Sequence, residues 1–425
     1  MFKFLFVFFF ALFLRLMLVY SELNEFLIRR VEVSSPLTSW FRTRECIALS
    51  NYGISPYSGD ICHQPPLIIK LFSSFSSTYV PYLFIAADLL TGVVMFLVGK
   101  NFVITQLVMQ EKDKKSYAKD AAVLILSKDQ LKNTALVAMA VYLLHPYSII
   151  TCAAQSSLIV NNLLCVLLLL ALVKGWSLIG SICAAVLTYL SFYPVIFLAP
   201  IVINTFNIST YKKISICKCL FGYVITLACL LKCSFMVYGT WNFIYSVYCF
   251  MLMVNDLTPN MGLTWYFFSE MFDHFKLFFL CVYQMSVFVF TIPIAVIFRK
   301  YPILICYSLF SLVSLFKSYP NFGDLSVPMA MLPFWCYLYR YTRNVLFIGT
   351  IFIVASALAP CMWYLWIYAG SANGNFFYAI TLLYALAQIF LLSDILYAFL
   401  RREYHLLHGM NPKTSSGQEG IIVMK

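Results

Sequence analysis

MFKFLFVFFFALFLRLMLVY, residues 1–20, carries two charges, Lys3 and Arg15, in an otherwise apolar run. An apolar helix of about 20 residues at about 1.5 Å per residue crosses the ~30 Å hydrocarbon core of a bilayer. No small-x-small cleavage site follows; the next residues are Ser21-Glu22-Leu23-Asn24-Glu25. The stretch therefore predicts an uncleaved first spanning helix rather than a signal peptide. The same texture fills the rest of the chain. Of its 425 residues, 62% are hydrophobic and 11% charged, against about 45–50% and about 25% in soluble domains. A soluble globular enzyme, a disordered chain and a disulfide scaffold are excluded. The fold class that follows is all-α, a polytopic membrane helix bundle.

Apolar runs separated by polar breaks predict about twelve spans of roughly 15–25 residues. They begin near Phe2, Tyr79, Thr134, Leu158, Trp176, Val195, Leu220, Phe275, Ile303, Leu325, Val345 and Phe376. Pro194, Pro200, Pro320, Pro328 and Pro333 interrupt several of them, as in half-helices or re-entrant pieces. Residues 1–400 form the membrane domain and 401–425 a tail, polar from Pro412 onward. With the N-terminus cytosolic, the inner segments hold 20 of the 29 Lys and Arg residues, and the outer loops 239–265 and 367–375 hold none. The positive-inside rule then puts both termini in the cytosol. In the first outer loop, 21–66, Arg29, Arg30, Arg42 and Arg44 run against this, offset by Glu22, Glu25, Glu32, Glu45 and Asp60. The one sequon, Asn207-Ile208-Ser209, falls on the cytosolic side, where it stays unused.

The net charge of +12 records orientation, not nucleic-acid binding, since no basic stripe with interleaved aromatics occurs. Cysteines inside apolar runs (Cys152, Cys165, Cys183, Cys229, Cys281, Cys306) read as small buried hydrophobes. Cys46 and Cys62 share the first outer loop, where a disulfide forms if that loop faces an oxidising lumen. His405-x-x-His408 is too little for a metal site in a chain with five histidines. No Walker loop or nucleophile elbow is present.

Charges in or at the ends of spans mark pairing or function: Arg15, Asp88, Lys232, Glu270, Asp273, Lys276, Lys317, Asp324 and Asp394. The long stems of Arg15 and Lys232 suit snorkelling to an interface. Asp394 can pair with Arg401 two helical turns on, whereas Asp88 has no local partner. Two constellations stand out at the outer face. DLTPNMGLTWYFFSEMFDHFKLFFLCVYQ (256–284) sets Lys276 beside Phe275, Phe278 and Phe279, which suits a lipid phosphate as well as an interfacial anchor. WYLWIYAGSANGNFFY (363–378) sets Gly370, Ser371, Asn373, Gly374 and Asn375 between aromatic flanks. Glycines and amides there suit a sugar or phosphate headgroup, or simply a helix-hairpin turn. Asp60 in SPYSGDICHQPPL (55–67) is a candidate base for a lipid-linked sugar transferase.

These stretches resemble subunit U of the glycosylphosphatidylinositol (GPI) transamidase, the PIG-U family. The resemblance rests on SPYSG (55–59) with His63 and Pro66-Leu67-Ile68-Ile69, on DLTPNMGLTWYFF (256–268) and EMFDHF (270–275), on FKSYPNFGD (316–324), on WIYAGSANGNFFYAITL (366–382) and on LRREY (400–404). It runs nearly end to end and is weaker through 100–250. It implies a multi-span subunit of an endoplasmic-reticulum complex that joins GPI to the new C-terminus of precursor proteins. It further implies a fold similar to the dolichol-phosphate-sugar glycosyltransferases and a catalytic Cys on a caspase-like partner subunit, with no catalytic residue or cofactor here. Carried over, Asn373 and Asn375 contact the GPI headgroup, and Lys276 and Phe278 line the same cavity. Lys212, Lys213 and Arg299 are anionic-phospholipid contacts, from charge alone. The family has His-Glu where this chain has His63-Gln64, which favours binding over catalysis, while Asp60 keeps a dolichol-phosphate-mannose-dependent mannosyltransferase as the alternative. A transporter or flippase lacks the internal repeat it needs.

Overall fold

The computed structural model describes residues 2–410, and among them every regular element is a helix. Twelve helices build the bundle. They are α1 (Phe2–Val19), α2 (Val80–Asp113), α3 (Thr134–Leu144), α4 (Pro146–Ala153), α5 (Leu158–Lys174) and α6 (Ser177–Leu190). There follow α7 (Leu198–Ile208), α8 (Lys212–Tyr238), α9 (Asp273–Ile297), α10 (Pro302–Phe316), α11 (Val345–Ile367) and α12 (Gly374–His408). Short helices decorate the loops at one end, among them Leu23–Ile28, Trp40–Asn51, Pro66–Ser73 and Thr264–Glu270.

Six helices (α1, α2, α8, α9, α11 and α12) are long and apolar enough to cross a membrane, or seven crossings if the bent pair α3–α4 counts as one. The remaining apolar helices are 10–17 residues long, so length alone does not reach the expected dozen. Chain breaks explain the shortening. Pro146 forces His145 into an extended conformation (φ −67°, ψ 131°), bending α3 against α4 by 46°. The span expected from Leu325 is instead a helix of six residues, Ser326–Met331, followed by a 3-10 stretch, Leu332–Leu338, with Pro328 and Pro333 inside them. The span expected at Leu220 begins at Lys212, so Lys212 and Lys213 lie on the first turn of α8. Residues 401–408, expected as tail, continue α12 to His408; the polar segment from Pro412 lies outside the described residues.

Burial sorts the helices. α10 is enclosed along most of its length, with Leu304 to Leu312 all buried, and it packs with α5, α7 and α12 in the main core. By contrast α1 buries only Ala11 and Arg15, and α8 only Cys219, Tyr223 and Ser234. Their outward faces (Phe6, Phe9 and Phe13; Phe221, Val224 and Met236) are exposed and apolar, the surface a lipid solvent requires. Cys229 and Cys281 lie on such faces and are exposed, against the expectation for cysteines in apolar runs, whereas Cys152, Cys183 and Cys306 are buried.

Arg15 corrects the snorkelling expectation. It is fully buried, and its Nε donates to Asp88 Oδ2 at 2.6 Å. Its Nη1 donates to the carbonyls of Ala11 and Leu143, both at 3.0 Å. Tyr142 Oη donates to the other Asp88 oxygen at 2.7 Å. Asp88, without a local partner in sequence, thus joins α1 to α2 and α3. Asp394 does not pair with Arg401: it accepts the backbone N–H groups of Arg343 (3.0 Å) and Asn344 (3.3 Å) just before α11, and Arg401 donates to Tyr397 Oη (3.1 Å). A carboxylate at a helix N-terminus meets unpaired N–H groups and the positive end of the dipole. Lys232 lies exposed near the end of α8, its ammonium 5.4 Å from the Phe235 ring centre. The charged segment 114–133 is tied to the end of α12: Ala118 N–H donates to Leu406 O, and Arg402 Nη2 donates to Leu124 O, both at 2.9 Å.

Candidate functional site

The two aromatic constellations meet. The short helix Thr264–Glu270 lies between α9 and the α11–α12 turn. On one side Phe267 packs edge-on against Phe279 (5.1 Å) and Tyr283 (5.4 Å) of α9. On the other, Tyr266 stacks on Tyr378 (4.8 Å), and Trp265 lies parallel to Trp366 (6.2 Å) and near Phe377 (6.0 Å). Tyr378 Oη donates to Leu263 O at 3.0 Å, and Thr264 Oγ1 donates to Ser318 O at 3.1 Å. The indole N–H of Trp265 is buried and has no partner among the described residues. Gly262 permits the approach, since a Cβ there would stand 2.7 Å from Pro320 Cδ.

The turn between α11 and α12 is exposed, Tyr368 to Ser371 all lying open. Gly370 takes φ +62°, where a side chain is strained. Asn373 caps α12, its Oδ1 accepting the N–H of Asn375 at 3.1 Å. Asn373 and Asn375 are exposed, which leaves the Asn373 amide N–H pair and the whole Asn375 amide facing outward on an aromatic base. On α9, Lys276 is half-buried and Phe278 is 64% exposed, its ring 5.1 Å from that of Phe279. Aromatic faces, amides and one ammonium on neighbouring elements can hold a sugar-phosphate headgroup beside acyl chains.

The first loop packs against the same end. Cys46 and Cys62 form a disulfide, with Cα atoms 5.6 Å apart. Both ring nitrogens of His63 face carbonyl oxygens, of Ser246 (2.8 Å) and Asp60 (2.9 Å), and the ring stacks on Phe250 at 3.4 Å. Burial pushes the His63 pKa down. Gln64 donates to Ser157 Oγ (3.0 Å) and to Leu37 O, so its amide braces the loop. The Asp60 side chain is exposed and is not part of this packing. Arg42 pairs with Asp256 at 2.8 Å. Burial pushes the Asp256 carboxyl up, but hydrogen bonds from the Thr258 hydroxyl and N–H, together with the Arg42 guanidinium, leave it below its ordinary value. Deeper in, Lys317 is paired with Asp324, which also accepts the Asn321 N–H at 2.8 Å.

At the opposite end, a cavity of about 390 Å³ opens between α2, α7 and α10. Phe102, Leu172 and Trp335 wall it, with Lys112, Lys300 and Asn207 among its polar groups. Asn207 Nδ2 donates to Arg299 O at 2.9 Å, which joins the Arg299 backbone to the end of α7. Lys212 sits 4.1 Å from the Phe206 ring centre, and Lys212, Lys213 and Arg299 are all exposed. Among the described residues no three His, Cys, Asp or Glu side chains gather as a metal site.

An all-helical bundle with an apolar exterior, an aromatic-walled polar turn at one end and a basic rim at the other defines a polytopic membrane protein. The family model for PIG-U, GPI transamidase subunit PIG-U, matches residues 9–384, and the chain belongs to that family. Relatives extend along its whole length. GPI-anchor transamidase component PIGU of Mus musculus is 42% identical over 431 residues, covering 98% of each chain. The Homo sapiens protein of that name is 42% identical over 428 residues with the same coverage. GPI transamidase component GAB1 of Saccharomyces cerevisiae is 31% identical over 394 residues, 91% of each chain.

Proposed function

We propose that this GPI transamidase component is the subunit that holds the GPI lipid and presents it for attachment, while the catalytic cysteine resides on a caspase-like partner. The observation that carries this reading is the convergence of Thr264–Glu270, the end of α11 and the start of α12 into one aromatic base beneath Asn373 and Asn375. Asn373 and Asn375 hydrogen-bond the GPI headgroup. Lys276 supplies a cation to its phosphate, and Phe278 meets its acyl chains at the lipid-facing side of α9. The mannosyltransferase alternative is less well supported: Asp60 stands exposed on the loop, and the Gln64 amide is committed to Leu37 and Ser157.

The Cys46–Cys62 disulfide supports a lumenal location for the first loop and hence for the outer turn. Both termini then face the cytosol from an endoplasmic-reticulum membrane. The shorter apolar helices cross in the shelter of the longer ones, in a fold resembling the dolichol-phosphate-sugar glycosyltransferases. Lys212, Lys213 and Arg299, beside the cavity at the other end, bind anionic phospholipids of the cytosolic leaflet.

A photoreactive residue at 373, 375 or 276, in the assembled complex, tests the reading. Irradiation should join labelled GPI precursor to these positions and not to position 60. Absence of lipid at all three in a fully assembled complex overturns it.

A further inference from the structure

A second pocket, about 240 Å³, lies between the first loop and Thr258–Pro259, beside the aromatic cluster against which its Val31 packs. Its floor is apolar (Ile28, Val31, Phe41 and Pro259) and its polar groups include Arg29, Arg42 and Ser34. Arg29 is exposed and has no carboxylate partner among the described residues; its guanidinium lies 5.8 Å from the Phe41 ring centre, with Arg44 at the same distance. Arg42 commits Nη2 to Asp256, leaving its remaining N–H groups available. The Ser34 hydroxyl has no hydrogen bond among the described residues and is half-buried.

The pocket stands at the level of the helix ends. α1 ends at Val19, nine residues before Ile28, and the intervening helix Leu23–Ile28 turns Leu23 and Phe26 outward. Next to the pocket, Arg30 lies 5.9 Å from the ring of Trp363, four residues from the end of α11. Exposed Tyr20, Leu23 and Phe26, the last sharing Arg30 with the partly buried Trp363, mark the depth of lipid headgroups. Guanidinium forks match phosphate oxygens better than any other side chain.

We propose that this pocket seats the phosphodiester of a bilayer phospholipid in the leaflet at this end of the bundle, with Arg29 and Arg42 on its oxygens, Ser34 donating a third hydrogen bond and the acyl chains descending past Phe26. The site shares no lining residue with the set Asn373, Asn375, Lys276 and Phe278 assigned to GPI.

The test uses the full chain in its assembled complex, reconstituted in nanodiscs with phosphatidylcholine that carries a diazirine next to the headgroup. Irradiation should label the segment 28–44, and Arg29→Glu should lower that labelling about tenfold, the loss of a charge-assisted pair. Ser34→Ala, which leaves the loop's charges alone, should lower it less. Labelling on α8 serves as the internal standard and should not change. Equal labelling of wild type and Arg29→Glu overturns the proposal. So does erasure of the label by inorganic phosphate, which identifies a free-anion site, or a cross-link from 28–44 to an acidic segment of another subunit in place of lipid.

Discussion

Breaking the Arg15–Asp88 pair should cost more than removing both of its members. Both side chains are at most 1% exposed, and the guanidinium spends its N–H groups on Asp88, Ala11 O and Leu143 O. Arg15→Leu leaves a buried carboxylate held only by Tyr142, and Asp88→Leu leaves a guanidinium with two carbonyls and no counter-charge. Loss of one partner from a buried pair costs about 3–5 kcal/mol, whereas replacing both by apolar residues is often neutral. Ala11 is the only other fully buried residue of α1; its remaining packing is the half-buried face of Phe4, Val7, Phe8, Leu12 and Leu16, which offers no new partner to a charge left alone. The assay is thermal loss of the monodisperse peak in detergent, with each variant purified in its complex. The single variants should melt well below wild type. The double variant Arg15→Leu/Asp88→Leu should lie within about 1 kcal/mol of it, giving a coupling energy of several kcal/mol. Additive losses, or Arg15→Leu behaving as wild type, would refute the view that the pair fastens α1 to the bundle.

Replacing both Asn373 and Asn375 by Leu removes the proposed headgroup hydrogen bonds, about 1 kcal/mol each, and should lower GPI attachment of a reporter at normal complex levels. Cys46→Ser opens a loop closed across a sequence separation of 16, which corresponds to about 3 kcal/mol; faster proteolysis of the first loop reads it out. Asp394→Ala strips the N–H groups of Arg343 and Asn344 of their acceptor and should cost about 1 kcal/mol in thermal stability. Asp256, with a carboxyl held below its ordinary value, adds stability that is complete above the unfolded pKa of about 3.9 and lost as pH falls through the lower folded value. Protease access to residues 254–263 should therefore stay constant from neutral pH down to about 4 and rise below it, with Arg42→Gln opening at higher pH than wild type.

Hydropathy made most of the bundle legible. Helices begin within about two residues of the expected starts at Phe2, Tyr79, Thr134, Leu158, Trp176, Phe275, Ile303, Val345 and Phe376. The start expected at Leu220 falls late because Lys212, Lys213 and Lys218 depress hydropathy over 212–219, although lysine is a good helix former. The run from Leu325 fails as one helix because Pro328 and Pro333 withdraw two backbone donors. Pairings across the chain were not legible. Arg15 and Asp88 are 73 residues apart, and nothing local distinguishes a snorkelling arginine from one with a distant carboxylate. Within the candidate site, the glycines and amides of 370–375 identify the turn, and the aromatics of 264–268 identify an interfacial segment. That the two form one surface depends on Tyr266 meeting Tyr378, a tertiary contact with no counterpart in spacing or composition.

The central claim, that this chain serves attachment and not synthesis of the anchor, is tested most directly in cells lacking it. Surface display of a GPI-anchored reporter and the GPI precursors, followed by lipid labelling, are read together, with rescue by wild type or Asp60→Asn. For an attachment subunit, the reporter is lost while complete GPI accumulates, and Asp60→Asn restores display. Accumulation of immature, under-mannosylated GPI that Asp60→Asn cannot relieve would contradict that role and identify a sugar transferase.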